Sequence, residues 1–424
     1  MSFICVDIGA SHTRFTGDNG VIQRMPNNMV LLEENERVDL MPYAGNDDVE
    51  TLFNALDVTI KKTDGESEFF PARALIGAMA ERYSATNVRP SVMQNKHKQK
   101  VNYISTLVAT AFYRVINKSD AMDQDIHMYI ALPPVEVATA KDYVAKQLMG
   151  SYEVTFNKYM GGTTVKFKIA SVSCREESFM AMVAFFFDKN GALKEEAKKY
   201  AKGNILSIDI GASTTDLAVV KDMRYLEKSG QTYKTGGNIA KDVIANEIRA
   251  MYGYDPTNEE TEQVMAEGRL SMGNSFVEMT DSVNRAKKAL AAQIMSNIQS
   301  YFRLVNIPIQ TIRAIVVSGG GSMCSEYVDD VDNMRVKQVS KPTTDFIVEE
   351  LKNICDTIDV VPFDGSPRDA NITGLYIVAS LDKIKRQRQA QVAANAQPAV
   401  QPTVQTQETV NVNTPVQPTM QAQA

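Results

Sequence analysis

Two stretches, "ICVDIGASHTRF" (4–15) and "LSIDIGASTTDL" (206–217), share the pentapeptide DIGAS. In each, an apolar run ends at Asp-Ile-Gly, small hydroxyl residues follow, and a second β-rich run begins. That order describes a strand, a tight turn and a returning strand. Glycine lets backbone N–H groups approach an anion closely, and Ser and Thr add hydroxyl donors, so phosphate oxygens are the natural guest. The chain has no GxxxxGK[ST], so a P-loop lysine is not the device. Asp7 and Asp209 precede the glycines at strand ends, where a carboxylate could hold the waters around Mg²⁺. One copy alone would read as a plain hairpin with an Asx-type turn. Two copies in the same context point to a duplicated α/β domain with its ligand in the cleft.

Other residues could complete such a site. "SGGG" (318–321) follows a strand-like run and allows close backbone approach to a base or ribose. "KTGGN" (234–238) places Gly236 and Gly237 at the opening of a helix, either an anion-binding N-terminus or a structural turn. In "SCREESFMAMVAFFF" (173–187), Glu176 and Glu177 open an apolar helix, where a carboxylate can project into a cleft and orient a water. Neighbours on a helix diverge by about 100°, so only one of the two can face the site.

The elements that must position these residues are legible as α/β layering. Strand-like runs at 4–6, 128–132, 205–208, 217–220 and 315–317 alternate with helical patterns. Val283, Leu290, Ile294, Ile298 and Phe302 recur on one face of a helix expected over 283–305. The longest apolar run, 179–187, is short of the ~20 residues of a membrane span, so a buried helix and no membrane contact are expected. The chain enters a strand without a basic leader, which argues against a secretory signal. Cys5, Cys174, Cys324 and Cys355 stand far apart without a CxxC pair, which fits a reducing, intracellular setting. A net charge of -6 argues against direct DNA binding. From Gln389 onward a single charge, Glu408, and imperfect "QPAV", "QPTV" and "QPTM" repeats read as a disordered tail or a docking peptide.

Taken together, these motifs resemble the nucleotide fold of actin, the heat-shock chaperone ATPases and sugar kinases. "LSIDIGASTTDLAVV" is similar to the second phosphate loop of ParM-like plasmid-segregation actins, and "IVVSGGGSM" to their adenosine motif. "IALPPVE" (130–136) and "DANITGLYIVA" (369–379) resemble their strand-and-proline turn and final helix. The resemblance implies duplicated actin-like (ribonuclease H-like) domains: domain I over 1–200 with a small insert near 35–105, domain II over 201–388 with a helical insert near 240–300, and the tail over 389–424.

Carried over residue by residue, it implies that Asp7 and Asp209 organise Mg²⁺. Gly9, Ala10, Ser11 and Thr13 would line the first phosphate loop, and Gly211, Ser213, Thr214 and Thr215 the second. Glu177, which precedes Ser178 and Ala181 as the chaperone glutamate precedes its small residues, would orient the water. Gly319, Gly320 and Gly321 would cradle adenosine, and Glu267 would reach the ribose or base. His12 departs from the pattern and is expected to face solvent. The basic run "NKHKQK" (95–100) reads as a solvated loop, with a filament contact or a lysine on the γ-phosphate as the sharper alternatives.

The function implied is a bacterial, cytoplasmic ATP hydrolase that polymerises with ATP and Mg²⁺ and segregates plasmid or phage DNA through a DNA-bound, ParR-like adaptor. The glycine loops do not separate ATP from GTP. A small-molecule kinase needs a substrate-facing base that no stretch supplies. MreB-like and FtsA-like cell-shape ATPases usually carry an amphipathic membrane helix, which is not evident in this sequence. The folded part, roughly 385 residues, leaves no room for a chaperone's substrate domain.

Overall fold

The computed structural model describes residues 2–38, 56–77, 80, 83, 95–117, 125–157, 162–323, 325–330, 335–355 and 357–396. The first half runs through β1 (Ser2–Ile8), β2 (His12–Gly17), β3 (Gln23–Pro26), β4 (Met29–Leu32), β5 (Leu56–Lys62), β6 (Ala72–Ile76) and α1 (Lys100–Ile116). It continues with β7 (Ile126–Leu132), α2 (Pro134–Leu148), β8 (Gly150–Phe156), β9 (Thr164–Glu176) and α3 (Glu177–Phe186). The second half holds β10 (Asn204–Ile210), β11 (Thr215–Lys221), β12 (Arg224–Tyr225), β13 (Gln231–Tyr233), α4 (Gly237–Tyr252), α5 (Asn258–Glu267), β14 (Arg269–Met272) and β15 (Ser275–Glu278). It closes with α6 (Thr280–Val305), β16 (Ile312–Ser318), β17 (Glu326–Asp330), β18 (Arg335–Gln338), α7 (Thr343–Lys352), β19 (Asp359–Pro362) and α8 (Ala370–Ala396).

β1 and β10 are apolar along almost their whole length because each is buried on both faces of its sheet. The first sheet has the order β3-β2-β1-β7-β9-β8-β5-β6-β4, and the second β12-β11-β10-β16-β19 with β13 on β11. The same unit therefore occurs twice: an antiparallel hairpin, then two parallel strands, as β2-β1-β7-β9 and β11-β10-β16-β19. This is the duplicated α/β architecture expected from the two DIGAS copies. Strands end at the same edge in both units, so the crevice beyond their C-terminal ends is where a ligand fits.

Each half has its own apolar core, and α3 packs between the sheets. Ala181 and Phe185 of α3 meet Ile205, Val220 and Val316, while Met180 and Val183 meet Phe3, Tyr129 and Leu375. At Gly374 the backbone of α8 comes so close to the Met180 carbonyl that a Cβ would overlap it. Two helices from different halves thus touch backbone to backbone.

Some elements differ from expectation. The stretch expected as a helical insert contains the hairpin β14–β15 besides its helices. The described strands of the 35–105 insert, β5 and β6, extend the first sheet. The long helix starts at Thr280, and its expected apolar face is buried. α8 continues to Ala396, so the segment expected to be disordered from Gln389 begins as helix; 397–424 lies outside the described residues, as does Cys324. The chain divides into a compact body, Met1–Lys383, and a second unit, Ile384–Ala424. No helix among the described residues is long and apolar enough to cross a membrane.

Candidate nucleotide site

Both DIGAS turns close in the same way. Ile8 pairs with Thr13 and Ile210 with Thr215, leaving four residues in each turn, and the Gly9 and Gly211 amides donate to the His12 carbonyl at 3.0 Å and the Thr214 carbonyl at 2.8 Å. The two turns face one cavity of about 550 Å³, a size suited to a drug-sized or nucleotide-sized ligand. It is lined by Asp7, Gly9, Ala10 and Ser11 from the first half and by Asp209, Gly211, Ser213 and Thr214 from the second. Glu177, Gly237, Gly319, Gly320 and Gly321 complete the expected set.

Four expected residues lie elsewhere. Side chains alternate along a strand, so Thr13 and Thr215, one step past each turn, point into the protein. Thr13 donates to Asn27 Oδ1, and Thr215 donates to the Thr235 carbonyl at 2.6 Å. Gly236 packs against the backbone of Ser213. Glu267 pairs with Arg269 at 2.9 Å, and Glu262 lines the cavity in its place.

The structure bears on two readings of the glycines, the open one at 234–238 and the one at 319–321. The first amides of α4 are spent on the protein, Gly237 N–H on the Gly211 carbonyl at 2.9 Å and Asn238 N–H on the Ala212 carbonyl at 2.6 Å, so this is the structural turn. Gly319 has φ +87, and a Cβ on it would meet Asp209 and Ile210. Its glycine is required by packing on the second DIGAS turn. Gly320 is the open member of the triplet: a Cβ on it would come no nearer than 3.7 Å to Arg368.

The sequence reading passed over Arg14 and Lys287, and for the basic run it preferred a solvated loop to its alternative of a lysine on the γ-phosphate. Lys96, from the basic run expected to be a solvated loop, extends a largely buried side chain into the cavity; its ammonium donates to Glu177 Oε1 and to the Ile8 carbonyl, both at 3.2 Å. Arg14 lines the cavity too, 3.4 Å from Asp7 and 3.6 Å from Asp369. Its place directly opposite Asp7 across the hairpin was the available signal. His12 also lines the cavity, contrary to expectation; burial and the nearby Arg14 and Arg368 lower it to about 4, so it is neutral. At the other end, Lys287 binds Ser340 Oγ at 2.7 Å and the Met323 carbonyl at 3.0 Å, tying α6 to the chain after the glycine triplet.

Four carboxyl groups converge: Asp7, Glu177, Asp209 and Asp216. Burial raises Asp7 against the pull of Arg14, and burial raises Asp209 against the hydrogen bond from Asn371 Nδ2 at 2.7 Å. Burial and the Asp209 charge push Asp216 up to about 7. Glu177 is raised by burial and by the other three carboxyls, with Lys96 opposing. Burial works against the Lys96 charge, but the surrounding carboxylates outweigh it and keep the ammonium protonated. A cluster of carboxyls that burial shifts upward, beyond what Arg14 and Lys96 offset, suits an incoming cation. Among the described residues no group of three or more His, Cys, Asp and Glu could hold a metal directly. The arrangement therefore fits an ion such as Mg²⁺, which keeps most of its water and takes one or two carboxylates and phosphate oxygens.

Comparison with known proteins gives this geometry a context. Residues 207–327 match the family model for the C-terminal part of the archaeal actin homologue MreB-like. A search of curated proteins gave no match. Among solved structures, the actin-like protein Alp7A superposes with a TM-score of 0.68 at 17% identity, over 92% of this chain and 99% of that one. A 15-stranded ParM filament from Clostridium botulinum gives 0.61 at 16%, over 90% and 99%. Bacillus thuringiensis ParM with ATP gives 0.60 at 18%, again over 90% and 99%.

Proposed function

We propose that this chain, which has the actin-like fold, binds and hydrolyses ATP with Mg²⁺ between its halves and assembles into filaments under control of that nucleotide. The observation that carries this reading is the facing of both DIGAS turns into one cavity with Lys96 and Glu177 between them. The turns offer backbone amides and the hydroxyls of Ser11, Ser213 and Thr214 to the phosphates. Arg14 and Lys96 supply positive charge where phosphate charge accumulates. Mg²⁺, when bound, would neutralise phosphate oxygens, with Asp7 and Asp209 as the carboxylates that would hold its waters. Glu177 then acts as an ionised carboxylate held by Lys96, in position to orient a water and accept its proton.

Filament formation is supported by the likeness to the Clostridium botulinum ParM filament, and nucleotide use by the likeness to ParM with ATP. In this reading the filament moves plasmid or phage DNA in the bacterial cytoplasm through a DNA-bound adaptor, since the net charge of -6 disfavours direct contact with DNA. Sedimentation of the purified full chain tests it: polymer should pellet with Mg-ATP and disperse as phosphate is released. A chain that hydrolyses Mg-ATP yet never pellets at any concentration would lose the filament claim and keep the nucleotide claim.

A further inference from the structure

The turn that delivers Lys96 is held by an unusual number of buried groups, all acting on its backbone. Glu136 lies in the first turn of α2, buried, with both carboxylate oxygens in use. Its Oε1 accepts from the amides of Asn95 at 3.1 Å and Lys96 at 2.9 Å, and its Oε2 accepts from the His97 amide at 3.0 Å. The His97 ring lies against the same Oε2, with Nδ1 at 2.9 Å. From the other side, Asn102 Nδ2 donates to the Lys96 carbonyl at 2.7 Å, and the Tyr103 hydroxyl donates to the His97 carbonyl. Tyr103 is itself fixed by stacking on Phe69, with ring centroids 4.2 Å apart. Asn95 enters the turn at φ 84, in the left-handed region.

These contacts leave the Lys98 side chain out of the arrangement and aim one side chain, that of Lys96, at the cavity. A carboxylate accepting three amides is a charge-assisted clamp, and three fixed peptide units determine where the next side chain starts. A flexible lysine on a free loop would lose side-chain and backbone entropy each time it met a ligand. A pre-set one has already lost it on folding.

We propose that Glu136 is a positioning residue: by clamping the 95–97 turn it sets the Lys96 ammonium at the phosphate end of the cavity, beside Glu177. The inference rests on the nucleotide reading above for its consequence, but the clamp itself is a property of the nucleotide-free protein. Glu136 acts through Lys96 and touches no reacting atom.

The test combines Glu136→Gln, Lys96→Ala and the double variant in the full chain. Without nucleotide, Glu136→Gln should speed amide exchange at 95–97 by about ten-fold or more, because the neutral amide is a weaker acceptor and offers only one oxygen. Affinity for a fluorescent ATP analogue should fall about ten-fold in either single variant. The double variant should be no weaker than Lys96→Ala alone, since Glu136 has nothing left to position. Losses that multiply in the double variant would show a general structural role and overturn the proposal, as would unchanged exchange at 95–97 in Glu136→Gln. If Glu136→Gln does not fold, Glu136→Asp keeps the charge but withdraws it by one methylene, and is read in the same way with smaller changes. A wild-type chain that binds no ATP defeats the nucleotide reading, and the exchange measurement still decides the clamp.

Discussion

Opposite Asp7 in the first DIGAS hairpin stands Arg14; opposite Asp209 in the second stands Asp216. The two turns share their register and closing hydrogen bond but differ at two positions that line the cavity, His12 against Thr214 and Arg14 against Asp216, and the second carries the difference in charge. In the first hairpin the opposed charges attract, and Arg14 also reaches Asp369 just before α8. In the second, two carboxyls share a cross-strand site, an arrangement that costs stability when both ionise. The second hairpin responds by retaining a proton on Asp216, which is pushed up to about 7. One jaw thus carries a guanidinium across from its aspartate, and the other carries a second carboxyl there. In the proposed reading, these unequal jaws receive phosphate together with a metal ion.

The largest expected effect comes from the residue between the jaws. Glu177→Ala should lower phosphate release about 100-fold or more, while ATP affinity and pelleting with Mg-ATP persist. Single-turnover phosphate release checks it, and ordinary hydrolysis in that variant would remove Glu177 from the chemistry. Arg14→Ala makes the first jaw resemble the second by leaving Asp7 without its partner. ATP affinity should fall about ten-fold, equivalent to about 1.4 kcal/mol, as read by titration with a fluorescent analogue.

Asp216→Asn makes the second jaw less acidic, and its effect falls on stability rather than on nucleotide binding. The folded Asp216 holds its proton up to about pH 7, whereas the unfolded residue releases it near 3.8. The native state therefore binds more protons between those values, and stability falls as pH rises through that window. Removing the acid should stabilise the nucleotide-free protein at pH 8 by roughly 2 to 4 kcal/mol and leave it unchanged at pH 3.5. Chemical denaturation at the two pH values checks it; an equal gain at both would mean the proton is not the cause.

Much of this architecture was legible in the sequence because it rests on local patterns. Both hairpins, the apolar helix opened by Glu177 and the Gly319–Gly321 turn follow from periodicity and glycine placement. The side chains of β2 and β11 were harder, because whether Thr13 or Arg14 faces the cavity depends on strand parity relative to the turn. Lys96 was legible only as an alternative to a solvated loop, for a different reason. A basic run looks the same whether solvated or clamped, and the group that clamps this one, Glu136, lies about 40 residues away. Glu267 was misjudged by about one turn and a half of helix, the distance to Glu262 on α5, since nothing in the sequence fixes how α5 meets the cavity.

The central claim is that both jaws hold one nucleotide at once. Amide hydrogen exchange at 9–12 and at 211–214, followed during titration with Mg-ATP, tests it directly. The account predicts protection of both turns with a single shared midpoint. Protection of one turn alone, or two separate midpoints, would contradict it.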